Sequence, residues 1–181
     1  MEANYIEPLL KVINKNNGYP YADSTKPLQL LIDIKTDSIN TLNKLIKVLE
    51  KYPVLMNSPC TKFVITGNRP DESLFTSYPP FIWFDGELFK NYSKEALTRI
   101  SLLSDNFKTY TQWNGTCTVP RNELAILRTA VNKAHQLNKP VRFWNSPDFA
   151  NAWNELERLH VDYINTDHIA ALTSFLEKSK K

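Results

Sequence analysis

Asp33 and Lys35 stand two residues apart in Leu30-Leu-Ile-Asp33-Ile-Lys35-Thr-Asp37, where an apolar β run delivers an acid and a base straight into a helix start. In a βα-barrel that address, the C-terminal end of a strand, is where active sites are built. Spacing alone leaves two readings: charged groups poised over a substrate, or an ion pair that ends the strand while the next residues cap the helix. Arg69, on the loop Gly67-Asn68-Arg69, suits bidentate recognition of phosphate, because guanidinium matches that geometry better than ammonium. A loop salt bridge is the plain alternative. Asp85-Gly86 and Asn165-Thr166-Asp167 are placed to line the same mouth, although Asp, Asn and Gly are also ordinary turn and cap residues.

The histidines offer less. His135 lies near the end of a predicted helix and His160 at a helix terminus, where the dipole favours imidazolium, so neither is expected to reach a mouth formed by strand ends. His168 follows the last predicted strand on the correct side, but a surface or capping role suits its place at the start of the final helix. No Ser-His-Asp arrangement can be built. Cys60 and Cys117 lack CxxC spacing, which removes a zinc ribbon and a redox motif; two buried thiols are expected, with one disulfide as the alternative.

These residues need elements to hold them. The run 28–34 is nearly continuous apolar β sequence, as in a parallel strand buried on both faces. Asp37 or Ser38 then caps a helix with Ile39, Leu42, Leu45, Ile46 and Leu49 on one face, ending before Pro53. Further strands are predicted over 62–66, stopped by Gly67, over 81–84, stopped by Asp85-Gly86, and over 100–104, 141–144 and 161–165. A helix carrying Ile6, Leu9, Leu10 and Ile13 precedes them all. Pro120 opens another, with Leu124, Leu127, Val131 and Ala134 inward. Ser146-Pro147-Asp148 signals a helix whose packed face is Phe149, Ala152, Trp153, Leu156 and Leu159, and Asp167 caps the last, with Ile169, Leu172, Phe175 and Leu176 inward. Pattern is weakest over 88–119.

Six strands alternating with helices argue for a parallel α/β sheet. An open wound sheet would meet the same count, but neither GxGxxG nor a Walker-type Gly-Lys-Ser/Thr is present to cradle phosphate. The polar residues recur instead at strand ends, where a barrel would gather them. At 181 residues with 42% hydrophobic and 23% charged content, the chain is expected to fold as a single soluble domain, 1–181. Its net charge of +3, from 22 basic and 19 acidic residues, and the scatter of the basic ones argue against nucleic acid as a partner. No stretch approaches the ~20 apolar residues that span a bilayer, so no transmembrane segment is expected, and Met1-Glu-Ala-Asn lacks the features of a signal peptide.

The strand-end series carries a resemblance. Leu28-Gln-Leu-Leu-Ile-Asp33-Ile-Lys35-Thr-Asp37 resembles the phosphatidylinositol-phospholipase-C-like superfamily, which includes the glycerophosphodiester phosphodiesterases and whose third barrel strand ends in acid-x-Lys. Val64-Ile-Thr-Gly67-Asn68-Arg69-Pro70, Phe81-Ile-Trp-Phe-Asp85-Gly86, Pro140-Val-Arg142-Phe-Trp144-Asn145 and Val161-Asp-Tyr-Ile-Asn165-Thr-Asp167 are similar to successive strand ends of one branch, that of bacterial proteins and the fungal altered-inheritance-of-mitochondria protein 6 family. The likeness runs from about Tyr5 to Phe175. It implies a TIM-type barrel whose site uses two histidines near the ends of strands one and two, with carboxylates holding a divalent ion. Only strands three to eight align. The opening His-x-His-Asn-Asp-Tyr or His-Arg-Gly motif, the later His-Asp and the Glu-x-Asp metal ligands have no counterpart. The expected fold is therefore an incomplete TIM-type α/β barrel, about six parallel strands with flanking helices and the first two βα units missing, and the length fits, since a full barrel takes ~250 residues.

By the same resemblance Asp33 is a ligand of Mg²⁺ or Ca²⁺, and Lys35 is the catalytic group that stabilises charge on phosphoryl oxygens. Asn68, Arg69 and Trp144 bind substrate, with Trp144 walling a lipid or glycerol pocket unless it belongs to the core. The substrate implied is a glycerophosphodiester or phospholipid-type molecule, hydrolysed with metal assistance, one histidine acting as base and the other as acid. Without those histidines the chain alone is expected to be inactive, and one carboxylate to hold a cation weakly or not at all, because such ions want six or more oxygens. The alternative is a non-catalytic remnant or interaction module. An opened barrel leaves unpaired edges at 28–34 and 161–165, which predicts a homo-oligomer. Complete relatives are often exported, and the compartment of this chain stays open.

Overall fold

Short apolar runs broken by polar loops give six strands: β1 (Leu28–Ile34), β2 (Thr61–Gly67), β3 (Ile82–Glu87), β4 (Ile100–Asn106), β5 (Val141–Trp144) and β6 (Tyr163–Ile164). The computed structural model describes residues 1–179, and in it the strands form one sheet in the order β1-β2-β3-β4-β5-β6. β1 pairs with β2 and β2 with β3 in parallel, as do β4 with β5 and β5 with β6. A strand order that follows the chain without reversing is the winding of a (β/α) barrel; a doubly wound sheet reverses at its switch point. The fold is an incomplete TIM-type α/β barrel of six parallel strands with flanking helices.

The helices are α1 (Glu7–Lys15), α2 (Ser38–Leu49), α3 (Pro53–Met56), α4 (Lys94–Leu97), α5 (Arg121–Gln136), α6 (Ala150–Arg158) and α7 (Ile169–Ser179). Asp37 caps α2 as expected, its Oδ1 accepting from Asn40 N–H at 2.7 Å. Leu42, Leu45, Ile46 and Leu49 are buried, but Ile39, in the first turn, is exposed. With only four glycines in the chain, several helices end on other residues in the left-handed region: Asn17, Asn138 and His160, at φ 54, 54 and 60°. After α6, Val161 N–H reaches back to Leu156 O and His160 N–H to Glu157 O, the two bonds that close a helix with a left-handed residue.

The chain divides into two compact units: Met1–Asp85 with Tyr92–Ile100, and Gly86–Asn91 with the chain from Ser101 onward. In the first, the register Leu31↔Val64↔Trp83 aligns the strands so that Leu30, Ile32 and Ile34, Phe63 and Ile65, and Ile82 and Phe84 share one face. Phe63, Ile65, Ile82 and Phe84 are fully buried, and the Phe84 ring stacks on Phe75 with centroids 3.8 Å apart. Burial of one such phenyl group is worth about 3–5 kcal/mol by the usual cost of Phe→Ala. Arg99 fastens the entry to β3, donating from Nη1 to Tyr78 O and from Nη2 to Pro79 O and Ile82 O. In the second unit Phe107, Phe143 and Tyr110 form an edge-to-face cluster, and Trp153 of α6 meets Phe175 of α7.

Several expectations are corrected. β1 is not buried on both faces: Leu28 to Ile32 are half-buried and only Ile34 is fully inside, because β1 stands first in the sheet order with β2 as its partner. β3 runs through Asp85-Gly86 to Glu87, the glycine being accommodated within the strand. β6 is reduced to Tyr163–Ile164, and Ser146-Pro147-Asp148 lies in the loop ahead of α6, whose N-cap is Phe149. Phe149 and Ile169 are exposed. Both thiols are free; Cys60 is half-buried, its Sγ donating to Ser24 O, and Cys117 is exposed at φ 57°, so the expectation of two buried thiols fails.

Candidate functional site

Alternation along a strand puts Gln29, Leu31 and Asp33 of β1 on the face opposite the apolar core, and register aligns them with Lys62, Val64 and Thr66 of β2. Trp83 and Asp85 of β3 continue that face. At its C-terminal level Asp33 is the register partner of Thr66, whose Oγ1 donates to Asp85 Oδ2 at 2.9 Å. Two carboxylates and a hydroxyl therefore form a row across three adjacent strands, with Asp85 almost wholly buried. Lys35, two residues beyond Asp33, closes an ion pair of 2.7 Å from Nζ to Asp33 Oδ2; the Lys35 and Asp33 side chains are 78% and 47% exposed.

Gly67 makes the row possible. It ends β2 at φ +72°, where an added Cβ would run into Asp33 Oδ1 and stand 2.5 Å from Ile34 O. The next residue, Asn68, ties the two strand exits together: its N–H donates to Ile34 O and its Nδ2 to Thr36 O at 3.0 Å. Arg69 is half-buried and engaged within the protein. So Asp33, Lys35 and Asn68, predicted as site residues, do meet at one pair of strand exits, with Asn68 in a structural bond. Thr66 and Gly67 were missed as parts of it. The signal was available in Lys62-Phe-Val-Ile-Thr66-Gly67, where period-two reading puts Thr66 on the polar face and leaves the glycine at the exit.

In the second unit the strand ends bind one another. Asp105, near the end of β4, accepts from Tyr110 Oη at 2.6 Å and from Asn106 N–H. Burial, then the Asp105 carboxylate, push the Tyr110 hydroxyl well above its ordinary pKa. Asn145, at φ 59° just past β5, donates from Nδ2 to Asn106 Oδ1, and the Arg142 guanidinium spans to Asn165 Oδ1 through Nε and Nη2. Asp148 is the hub of the loops: Oδ1 accepts from Trp153 Nε1 at 2.9 Å and Oδ2 from Asp167 N–H at 2.7 Å. Burial alone would raise its pKa, but these bonds, one from Thr166 and the nearby His168 outweigh it and hold the carboxyl below its ordinary value. Trp144, paired with Asn106, is 43% exposed, so it is not a core residue.

His135 reaches no strand exit. Its Nε2 lies 2.9 Å from Asp162 Oδ2, which also accepts from Val141 N–H, and these residues stand at the entries to β5 and β6. His160 closes α6, and His168 N–H donates to Thr166 Oγ1 ahead of α7.

A hard divalent cation does not fit this donor set. Among the described residues no three His, Cys, Asp or Glu side chains cluster to hold a metal, and Asp33 Oδ2 already faces an ammonium. Mg²⁺ or Ca²⁺ would need several more oxygens.

Residues 140–170, the span of Arg142, Trp144, Asp148 and Asn165, match the glycerophosphoryl diester phosphodiesterase family. No curated protein matches the chain. Two solved structures share its fold. An EAL domain protein from Listeria monocytogenes EGD-e is 20% identical with a TM-score of 0.51, over 90% of this chain and 64% of its own. The FimX EAL domain of Xanthomonas citri, solved with c-diGMP, is 13% identical with a TM-score of 0.50, over 91% and 66%. The chain thus spans less than two thirds of either one. These likenesses define the class, a partial TIM-type barrel. Within that barrel the family match is confined to residues 140–170, which are similar to glycerophosphoryl diester phosphodiesterases. No helix among the described residues is long and apolar enough to cross a membrane.

Proposed function

We propose that residues 1–181 form a single domain, the C-terminal three-quarters of a phosphodiesterase barrel, and that they carry half of a site for a glycerophosphodiester or phospholipid-type substrate. The Asp33–Lys35 pair at the exit of β1 carries this reading, because it sets an acid and an ammonium beside the Thr66–Asp85 bond at the end of the strands where barrel chemistry is done. Lys35 is the group for charge on phosphoryl oxygens, and Arg69 is a further substrate contact. Asp33 is the metal ligand of the completed site; alone it binds Mg²⁺ or Ca²⁺ weakly or not at all.

The three histidines are placed at helix ends and loops, which supports an inactive chain. With Mg²⁺ or Ca²⁺ and a glycerophosphodiester or lysophospholipid, the full chain is expected to give no turnover, and metal-dependent hydrolysis lost in Asp33→Ala would overturn that. Substrate binding is read separately by NMR: sn-glycerol 3-phosphate should shift the amides of residues 33–36 and 67–69, and less so in Lys35→Met. Shifts confined to other residues would remove the half-site.

A second reading is an interaction module. The half-buried apolar residues of β1, first in the sheet order, favour it, since such an edge is a template for pairing. Sedimentation velocity should then show a homo-oligomer; a monomer at high concentration counts against it.

A further inference from the structure

At the opposite end of the same strands, the first unit holds a cavity of about 410 Å³ lined by Met56, Pro59, Lys62, Phe81 and Trp83 among others. That volume lies within the range of small-molecule sites. Lys62 and Thr66 share a face of β2 four residues apart, which puts the cavity about 13 Å from the Asp33–Thr66–Asp85 row at the rise of a β-strand. It is therefore a separate place, and nothing in the proposed phosphodiester site calls for it.

Its one charged group is Lys62. Register aligns Val64 with Trp83, so the Lys62 side chain on the same face leans over the indole, with Nζ 4.2 Å from the ring centroid. Among the described residues no carboxylate comes within ion-pairing distance of Nζ and no acceptor takes a hydrogen bond from it. The ammonium is also half-buried, and that burial lowers its pKa. Stacking on indole satisfies one side of the cation and leaves its N–H donors without an acceptor. Ser58 and Thr61 are bonded elsewhere, Ser58 Oγ donating to Gly18 O and the two hydroxyls bonding each other, and neither takes a bond from Lys62. Of the remaining walls Asn57 is polar, and Met56, the two prolines and the Phe81 ring are apolar.

We infer that this cavity is a binding site for a small organic carboxylate with a flat apolar body, its carboxylate paired with Lys62 Nζ and its body against Phe81, Trp83 and Pro59. Charge complementarity selects the anion, and the aromatic walls select the body.

The probe is 2-naphthoate, titrated into the full chain and followed by ¹⁵N NMR at the Trp83 indole N–H, which Trp83→Phe assigns. Ordinary ligand efficiency for ~13 non-hydrogen atoms predicts a Kd between about 50 µM and 1 mM. Lys62→Met should weaken naphthoate roughly tenfold, the order expected of one charge-assisted contact, while leaving the neutral 2-naphthalenemethanol within about twofold. Lys62→Arg should retain naphthoate, which keeps the test alive if Lys62→Met fails to fold. No saturation by about 5 mM naphthoate, or equal affinity in Lys62→Met, overturns the inference. So does a Trp83 signal that moves with protein concentration alone, since the occupant would then be a second copy of the chain.

Discussion

Replacing Gly67 by alanine should damage the molecule through two separable effects. Gly67 lies at φ +72°, a region that costs an L-residue about 1–2 kcal/mol. Its new Cβ would also stand 2.5 Å from Ile34 O and 3.2 Å from Ile34 N on the neighbouring strand. Asp33 can swing its carboxylate away, but Ile34 O is held by Asn68 N–H at 2.7 Å, so the backbone must part. Overpacking of that kind costs a further ~1–3 kcal/mol. The sum is about 2–5 kcal/mol, or roughly 5–15 °C in Tm for a chain of this size. Gly18→Ala isolates the first effect. Gly18 has φ +96° and nothing within 4 Å of a built Cβ, so only the conformational cost of ~1–2 kcal/mol applies. Urea unfolding of both variants, followed by tryptophan fluorescence, gives the difference directly. If Gly67→Ala and Gly18→Ala agree within about 0.5 kcal/mol, the close approach of β2 to Ile34 is not what demands glycine.

The other perturbations concern charge. Asp33→Ala should change stability by no more than about 0.5 kcal/mol, because both partners of its ion pair are largely exposed; a larger loss in urea unfolding would give Asp33 a structural role. Asp148→Asn should cost about 1–3 kcal/mol by setting an amide N–H₂ against the donors from Trp153 and Asp167. Because the Asp148 carboxyl sits lower in the folded than in the unfolded state, its contribution is present above the ordinary value of 3.8 and is lost as pH falls through the folded one. The variant's stability should fall less steeply in that acid range, and parallel curves would refute it. Tyr110 behaves in the opposite sense: its folded pKa is raised, so its contribution is complete below the ordinary value of 10.0 and declines as pH rises beyond it. Tyr110→Phe should lose the Asp105 hydrogen bond yet show a flatter alkaline decline, and an unchanged slope above pH 10 would exclude Tyr110 as its source.

Most of the fold was legible because its signals are local. The run Leu28–Ile34 is found as β1 residue for residue, and the Asp37 cap and the Leu42, Leu45, Ile46 and Leu49 stripe follow from spacing alone. What periodicity does not carry is which strand has one neighbour. β1 has the composition of an interior strand, and only the sheet order explains its half-buried face. Cap signals misled where other bonds compete for the same oxygens: Asp148 looks like an N-cap but serves the Trp153 indole and, 19 residues on, the Asp167 N–H, a contact that no short window around residue 148 contains. The candidate site divides the same way. Asp33 and Lys35 were visible as acid-x-Lys, whereas Thr66 joins them through register and Asp85 through a cross-strand bond. Lys62 was invisible for a related reason, since its isolation depends on what does not stand opposite it.

The unreversed strand order has a kinetic meaning. Each strand pairs with the next one along the chain, so the connections closed during folding are confined to roughly 12 to 34 residues. Chains with that contact pattern need no early, expensive encounter between distant segments, and a newly ordered strand is a template for the one synthesised next. Growth of the sheet is then vectorial, more like zipping than condensation. A protein wound in this way can be extended or shortened beside its first strand without unpicking the pairings that follow.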